Sequence, residues 1–495
     1  MASSQDEYVL TEDDLQYFGY DSDLPIIRAA RNPDSRILTA MLARYNKMGE
    51  NTRGRWKWSP NAYVPGFTYC YLQSPLTEAI QAQLPDNVRI LLDRGADPNG
   101  YPLDEMQKYA CLSWRFRPRD FMPRLPESLI KRNPTPQSAP LTLPEVVARV
   151  NGMFCFWQSY DSIPFDAYSG GDGMTPIEVA CKHDSADILQ MVIAAEPDIS
   201  FWKLSSTEIP DPPTPSSLSV SNPILCAIKS KHTKHLETLF SLGLNPNSIP
   251  RACRQQSCSP LMACFLYHNP PDWNTFSKLV SRGDIDYNEL TPLTKVHCLH
   301  IVVALLSLSD LKRVLSYGFE LAKAGLTAFG HTLLHIACLP WNLSYINVFE
   351  KAIYESAHEL RCLPFSRGEI GSIVFDNGVP RSQPTDFFAA QEELALYILC
   401  QSPEPDALLF APDCHGNTIF HYLAMHRSIN EGLLQKLLTF SGSSAASYHN
   451  IKNLAGWTAD ELKQKGFAAH VELRKPFWRN AYTSKFLENG KLSYY

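Results

Sequence analysis

The chain has 495 residues, of which 44% are hydrophobic and 19% charged, and its formal net charge is −6. Such a slightly acidic chain has no basic excess to neutralise a phosphate backbone, which argues against direct nucleic-acid binding. No run of eighteen apolar residues occurs, so we predict no membrane-spanning helix and no membrane partner. The sequence also opens without a basic and apolar leader, and we therefore expect an intracellular protein.

Residues 1–23 read as an acidic tail. Between residues 3 and 23 there are seven acidic residues and no Lys or Arg, and Tyr and Phe lie among the acidic residues. This alternation is typical of disordered segments that bind regulatory partners. The alternative interpretation is a solvated tail, or a short helix that covers the first repeat.

One pattern recurs along the chain, and its clearest copy begins at Ser74. Ser74-Pro-Leu predicts the start of a helix, because Ser can accept a backbone N–H bond and Pro needs no donor there. Leu91-Leu92 marks a second helix, and Gly95 follows it where the backbone needs a positive φ. Gly243 and Gly283 are predicted to end later helices in the same way.

The copies align on a small or apolar residue in each first helix. These anchors are Ala29, Ala79, Ala180, Ala227, Cys264, Val302, Ala337 and Leu423. The pattern resembles the ankyrin repeat, whose period is about 33 residues. The resemblance implies an all-α ankyrin-repeat solenoid of about seven to nine helix pairs with β-turn loops, interrupted by Pro-rich insertions.

Wide gaps between anchors predict where the array is interrupted. One gap separates Ala79 from Ala180 and another separates Ala337 from Leu423, where a second helix is expected from Tyr345 to Ala357 and a further helix from Gln391 to Leu399. We divide the chain into an acidic tail (1–23), a capping repeat (24–46), a repeat (72–100), a Pro-rich insertion with one helix (101–172), a repeat (173–202), a flexible loop (203–221), repeats (222–354), an insertion with a degenerate repeat (355–412), and C-terminal repeats with a cap (413–495).

Three histidines occupy the His position of the family's Thr-Pro-Leu-His pattern: His300, His335 and His421. The resemblance implies that they tie neighbouring loops together by hydrogen bonds. His331 lies four residues before His335, which raises the alternative of a metal site. No carboxylate or Cys completes a ligand set there, so we predict no metal and no cofactor.

The sequence carries no catalytic signature. A nucleophile elbow, a P-loop, an HExxH helix and a kinase glycine loop are all missing, and we predict that the protein is not an enzyme. Five cysteines fall in predicted helices and are expected to be buried thiols in a reducing compartment: Cys181, Cys226, Cys264, Cys338 and Cys400. The alternative is an enzyme whose site is built on the inserted segments.

The resemblance implies a protein partner held on the concave surface of the solenoid. Loop tips and exposed positions of the first helices would form that surface, and their mixed, partly apolar character suits a protein. The loop-tip positions are Gln73, Met174, Ser221, Cys258, His331 and Asn417. The first-helix positions, two residues after an anchor, are Gln81, Lys182, Lys229, Leu266, Leu339 and Met425.

The divergent repeats and Pro-rich insertions are similar to those of the large ankyrin-repeat proteins of filamentous fungi. That similarity implies a monomeric scaffold in the nucleus or cytoplasm that binds a transcription factor and acts as a transcription co-regulator. The alternative is a cytoplasmic adaptor for pathway enzymes or a ubiquitin ligase.

Overall fold

The computed structural model describes residues 9–11, 24–52, 55–62, 74–100, 175–203, 222–247, 259–268, 270–290, 296–327, 330–338, 387–413, 416–424, 429–453 and 456–464. The chain divides into two compact units, Met1–Ala252 and Cys253–Tyr495. In the described residues each unit contains short helices in pairs.

The described part of the first unit contains four pairs of α-helices. The first helices are α1 (Pro25–Ala30), α3 (Pro75–Gln81), α5 (Pro176–Cys181) and α7 (Pro223–Lys229), and their partners are α2 (Ser35–Lys47), α4 (Pro85–Asp93), α6 (Ala186–Ala194) and α8 (Thr233–Ser241). Helix α3 packs against α1 and α5, and α5 packs against α7. On the other side α4 packs against α2 and α6. Each pair therefore buries its apolar face on its neighbours, as in a solenoid.

The second unit repeats this plan. Its first helices are α9 (Pro260–Leu266), α11 (Cys298–Ala304), α13 (Leu333–Ala337) and α16 (Ile419–Ala424), and their partners are α10 (Trp273–Val280), α12 (Leu308–Ser316), α14 (Phe387–Gln401) and α17 (Glu431–Phe440). Two further helices, α15 (Pro405–Phe410) and α18 (Ser444–Asn450), pack against each other. The first helices contact one another in chain order.

These eight pairs confirm the predicted all-α repeat solenoid within each unit. The eight anchor residues are all buried, as close approach of two helices requires. In the described residues the β-structure is limited to two isolated bridges, Leu290 to His297 and Lys452 to Thr458, which lie in the loops between repeats. Within the same residues no helix combines the length and the apolar character needed to cross a bilayer.

Helix starts follow the capping chemistry that the sequence predicts. The Thr77 N–H donates to Ser74 Oγ over 3.2 Å, while the Ser74 N–H donates to Thr77 Oγ1 over 2.9 Å. At the next repeat the Thr175 N–H and hydroxyl both donate to Glu178 Oε2, over 2.9 and 2.6 Å. These reciprocal bonds satisfy N–H groups that have no partner within the helix.

The second gap in the anchors is an insertion within a repeat. Helix α14 packs against α13 and lies between α12 and α17, which is the place of the second helix of the pair that α13 begins. We expected residues 355–412 to hold an insertion with a degenerate repeat, and within them the contacts of α14 place it beside α13. The expected helix from Gln391 to Leu399 is confirmed and is longer, Phe387–Gln401. The helix expected from Tyr345 to Ala357 lies outside the described residues.

The first gap is an insertion between repeats that stack directly on each other. Gly100 precedes the gap with φ +88°, and a Cβ on it would lie 3.1 Å from Cδ of Pro176, which begins the next repeat. Across the same gap the Asp198 N–H donates to Asn99 Oδ1 over 2.7 Å. The two repeats therefore pack directly on each other across the gap.

We expect residues 103–172 to be dispensable for the first unit. Replacing them by a Gly/Ser linker of about six residues spans the junction, because the flanking residues are already in contact. Circular dichroism should show an unchanged helical signal per repeat, and the thermal midpoint should stay near that of the full chain. Loss of cooperative unfolding would show that the insertion holds the two repeats together.

Turn glycines follow the prediction at two positions and not at a third. Gly95 and Gly243 have positive φ angles of +82° and +83°. Gly318 also has a positive φ, of +99°. Gly283 does not adopt a positive φ, so its predicted role is wrong. Helix α10 instead ends with Arg282 N–H donating to the Leu279 carbonyl over 3.0 Å, in a turn open to any residue.

This difference makes the two glycines a matched pair for a test. Nothing lies within 4 Å of an added Cβ at either Gly318 or Gly283. Gly318→Ala should lower the free energy of unfolding by about 1–2 kcal/mol, because an L side chain is strained at positive φ. Gly283→Ala should be neutral or raise it by about 0.4–1 kcal/mol, through the entropy of the unfolded chain. Urea unfolding of both variants measures this, and equal effects would contradict the backbone argument.

Candidate partner-binding surface

Three of the predicted first-helix positions form a row on the first unit. Gln81, Lys182 and Lys229 stand at or directly after the ends of α3, α5 and α7, which stack in that order. Gln81 and Lys229 are exposed and Lys182 is half-buried. His183 Nε2 lies 3.5 Å from Gln81 Oε1, which shows how closely successive repeats approach along this row. We call these three residues the polar row.

Six of the predicted positions lie outside the described residues. They are Gln73, Met174, Ser221, Cys258, Leu339 and Met425.

Leu266 is only 1% exposed, so its predicted place on the partner surface is wrong. Every residue of α9 (Pro260–Leu266) is buried. The physical reason is the composition of this helix, which is apolar on all sides and so is covered on all sides. The Lys182 and Lys229 positions differ because a long charged side chain keeps its head in water.

His331 is also buried, with 8% exposure, and does not form an exposed loop tip. Its N–H donates to Thr327 Oγ1 and its carbonyl accepts from the Thr327 N–H, both over 3.1 Å. Its ring contacts the Tyr422 ring edge-on, with the centroids 6.0 Å apart. The loop tip is therefore closed over by the following repeat.

Asn417 is fully buried and serves the array rather than a partner. Its N–H donates to Asp413 Oδ1 over 2.8 Å, and its amide accepts from Asn453 Nδ2 over 3.0 Å. Tyr422 donates its hydroxyl proton to Asp413 Oδ2 over 2.9 Å. This network joins two successive loops, which explains why Asn417 is buried and is not the exposed loop-tip residue that the sequence predicted.

The implied role of the pattern histidines holds for two of them. His335 Nε2 lies 3.1 Å from the Asn417 carbonyl of the next repeat, and His421 Nε2 lies 3.1 Å from the Trp457 carbonyl. Because a carbonyl only accepts, each Nε2 carries the proton and each Nδ1 accepts. The Nδ1 of His335 accepts from the Thr332 N–H over 3.2 Å. Both ring nitrogens of His335 are thus engaged, and neither is left for a metal shared with His331.

Burial keeps these imidazoles neutral. It lowers the pKa of His335 and of His421 to about 4, and that of His300 to about 3. His300 accepts the His297 N–H at Nδ1 over 3.0 Å, as the other two accept their Thr N–H. In all three histidines Nδ1 accepts a backbone N–H at the start of the helix, and protonation of Nδ1 would break that bond.

Four of the five cysteines predicted to be buried occupy the positions expected of small hydrophobic residues. Cys181, Cys226, Cys264 and Cys338 are buried, but Cys400 is exposed, so the prediction is wrong for this residue. Burial raises the pKa of Cys338 to about 12. A thiol that cannot ionise at neutral pH is a poor nucleophile.

Sequence reasoning missed one cluster of side chains that have ligand chemistry. Asp184, His232 and His235 place one ligand atom each within 4.8 Å of one another. The spacing of the two histidines, one helical turn apart at the start of α8, was a visible signal. The carboxylate comes from the preceding repeat, 48 residues before His232, and only the stacking of α5 on α7 brings it there.

Comparisons with known proteins do not identify a family for this chain. No protein-family model matches the sequence, and no curated protein matches it. Among solved structures the chain is similar to the ankyrin repeat domain of human ASB11, with a TM-score of 0.34 and 16% sequence identity. The similarity covers 63% of this chain and 90% of that domain. The evidence for the repeat fold is therefore the stacking of the helix pairs.

The lowered histidine pKa values make the second unit sensitive to acid. In the folded state His335 and His421 have a pKa of about 4, below the ordinary value of 6.5, so the unfolded chain binds more protons between these values. The contribution of the two neutral imidazoles to the free energy of unfolding is complete above pH 6.5. It is lost as the pH falls towards 4, by roughly 1.4 kcal/mol per pH unit for each residue. Urea unfolding between pH 7.5 and 4.5 should show this decline.

A variant separates this effect from general acid denaturation. At pH 7.5 the His335→Leu variant should unfold at a lower urea concentration than the wild type. Its free energy of unfolding should fall less on acidification, since one titrating group is removed. His449→Gln is the control, because His449 is an exposed residue whose ring faces Asp460 at 3.1 Å. An equally steep acid decline in His335→Leu and the wild type would rule out the buried imidazole as its source.

Proposed function

We propose that the protein is a non-enzymatic scaffold that binds a protein partner on the surface that carries the polar row. The observation that carries this proposal is the repetition of Gln81, Lys182 and Lys229 at equivalent places on stacked first helices. Such a regular row offers a partner several spaced contacts on one side of the array. The chemistry that fits it is a polar segment with carboxylates opposite the two lysines.

The burial of cysteine thiols and histidine imidazoles in the repeats supports a binding function. Burial raises the pKa of Cys181, Cys298 and Cys338, and it lowers the pKa of the pattern histidines. The Nε2 atoms of His335 and His421 face backbone carbonyls of neighbouring loops. These groups hold repeats together and are closed to a substrate.

The finer part of the proposal is a transcription co-regulator that binds a transcription factor in the nucleus. Its support is the sequence of residues 1–23, in which acidic and aromatic residues alternate as in segments that recruit regulatory proteins. Val9, within this segment, is 80% exposed. In this proposal the array holds the transcription factor and the tail recruits regulatory machinery.

Charge reversal on the polar row tests the binding surface. The tagged full chain is first purified from its own cells after crosslinking, and the partners are identified by mass spectrometry. The double variant Lys182→Glu, Lys229→Glu should then weaken binding of the main partner at least about tenfold, which is about 1.4 kcal/mol. Calorimetric titration of purified proteins measures the affinity.

The matched control reverses two exposed lysines on second helices of the same unit, Lys47→Glu and Lys234→Glu. This control has the same net charge change and should bind as the wild type does. Equal loss in both double variants would reduce the effect to overall charge, and no loss in either would refute the polar row as the site.

Deletion of residues 1–23 tests the co-regulator proposal separately. The deleted protein should keep its partner affinity and lose its effect on expression of the partner's target genes. Recovery of pathway enzymes or a ubiquitin ligase in place of a transcription factor would refute the nuclear function and favour a cytoplasmic adaptor.

A further inference from the structure

A carboxylate and two imidazoles converge where the third and fourth repeats of the first unit meet. Asp184 lies in the turn between α5 and α6, His232 is the residue before α8, and His235 is in the first turn of α8. One ligand atom from each lies within 4.8 Å of the other two. None of these atoms belongs to the polar row or to the loop contacts of the pattern histidines.

The backbone fixes the orientation of His232. Its Nε2 lies 3.0 Å from the Lys182 carbonyl oxygen, which only accepts, so Nε2 carries the proton. In the neutral ring Nδ1 is then an acceptor, and it faces the Asp184 carboxylate oxygen over 3.5 Å. Two acceptors that face each other need a cation between them. A metal-bound histidine in proteins usually donates its other N–H to a carbonyl or carboxylate in this way.

His235 adds a second imidazole at a position where an apolar side chain also fits. It lies eight residues after the anchor Ala227, as Ile188 lies eight residues after the anchor Ala180. It is 3% exposed, and its ring meets the His232 ring edge-on with the centroids 5.6 Å apart. One ring nitrogen of His235 lies within 4.8 Å of the ligand atoms of His232 and Asp184.

We propose that Asp184, His232 and His235 bind a divalent transition-metal cation of the Zn²⁺ class. Two imidazole nitrogens and one carboxylate oxygen are ligands that Zn²⁺ takes at about 2.0–2.2 Å, with water in the remaining position. Closing the cluster from its present spread needs a small movement, which the 88% exposed Asp184 side chain is able to make. The metal would link the turn of one repeat to the second helix of the next.

A proton is the competing cation. With both nitrogens of His232 protonated, the contact with Asp184 is an ion pair that needs no second imidazole. The pair of His449 Nδ1 and Asp460 Oδ2, 3.1 Å apart, has this simpler arrangement. The requirement for His235 therefore separates a metal site from an ion pair.

Metal titration of the full chain tests the proposal. The protein, freed of metal with a chelator, is titrated with Zn²⁺ in a calorimeter and with Co²⁺ in a visible spectrometer. We expect the wild type to bind one equivalent with the Co²⁺ bands of a four-coordinate site. His235→Ile should remove these bands and weaken Zn²⁺ at least about tenfold, since loss of a ligand exceeds the loss of its outer-shell partner.

Two further variants and one stability measurement complete the test. Asp184→Asn should also weaken Zn²⁺, while His449→Gln should leave the binding unchanged. Zn²⁺ should raise the thermal midpoint of the wild type and leave that of His235→Ile unaltered, because only a ligand of the folded state stabilises it. Equal Zn²⁺ affinity in the wild type and His235→Ile would overturn the proposal, whether or not both proteins bind metal elsewhere.

Discussion

The structure depends on one constraint, which is that a short helix pair buries its apolar face only on the pairs beside it. The anchor residues meet this constraint on the apolar side, since all eight are buried. Where loops and helix ends of neighbouring repeats come together, polar side chains form hydrogen bonds to backbone carbonyls. Asn87 donates to the carbonyls of Ala30 and Asn32 over 3.0 and 2.8 Å, and His335 donates to the Asn417 carbonyl. Because these groups are buried, each missing partner would leave an unsatisfied polar atom at considerable cost.

Nearest-neighbour stacking also explains how the array tolerates long insertions. Residues 101–174 are inserted in the sequence between two repeats. The first helices of these repeats, α3 and α5, pack directly on each other. The other gap opens between the two helices of one pair, and Gln391 of α14 still donates from Nε2 to the Ala337 carbonyl of α13 over 3.1 Å. An insertion is accepted at either place as long as the contact across it is complete.

Local chemistry made much of the fold predictable from the sequence. Ser74-Pro75 and Thr175-Pro176 begin helices because hydroxyl capping and the missing Pro donor act within a few residues. The exposure of the proposed surface positions was predicted less well, because exposure depends on residues far away in the chain. Leu266 is buried with the rest of an apolar helix, and Asn417 is buried by contacts with Asp413 and Asn453. Helix α14 was assigned to a separate repeat because the length of the gap does not show where within a repeat the chain departs.

One position shows how the repeat can acquire chemistry without changing its fold. Eight residues after the anchor, Asn87 links backbone carbonyls of the preceding repeat, Ile188 packs as a core side chain, and His235 faces His232. All three are buried at the same helix interface, so stacking alone does not select the residue type. The position of His235 differs from the other two in having a ligand in the turn of the preceding repeat. That ligand is Asp184, whose carboxylate lies close to the two imidazoles. A metal site arises there from two residues of one repeat and one of its neighbour, and it therefore depends on the stacking that it would reinforce.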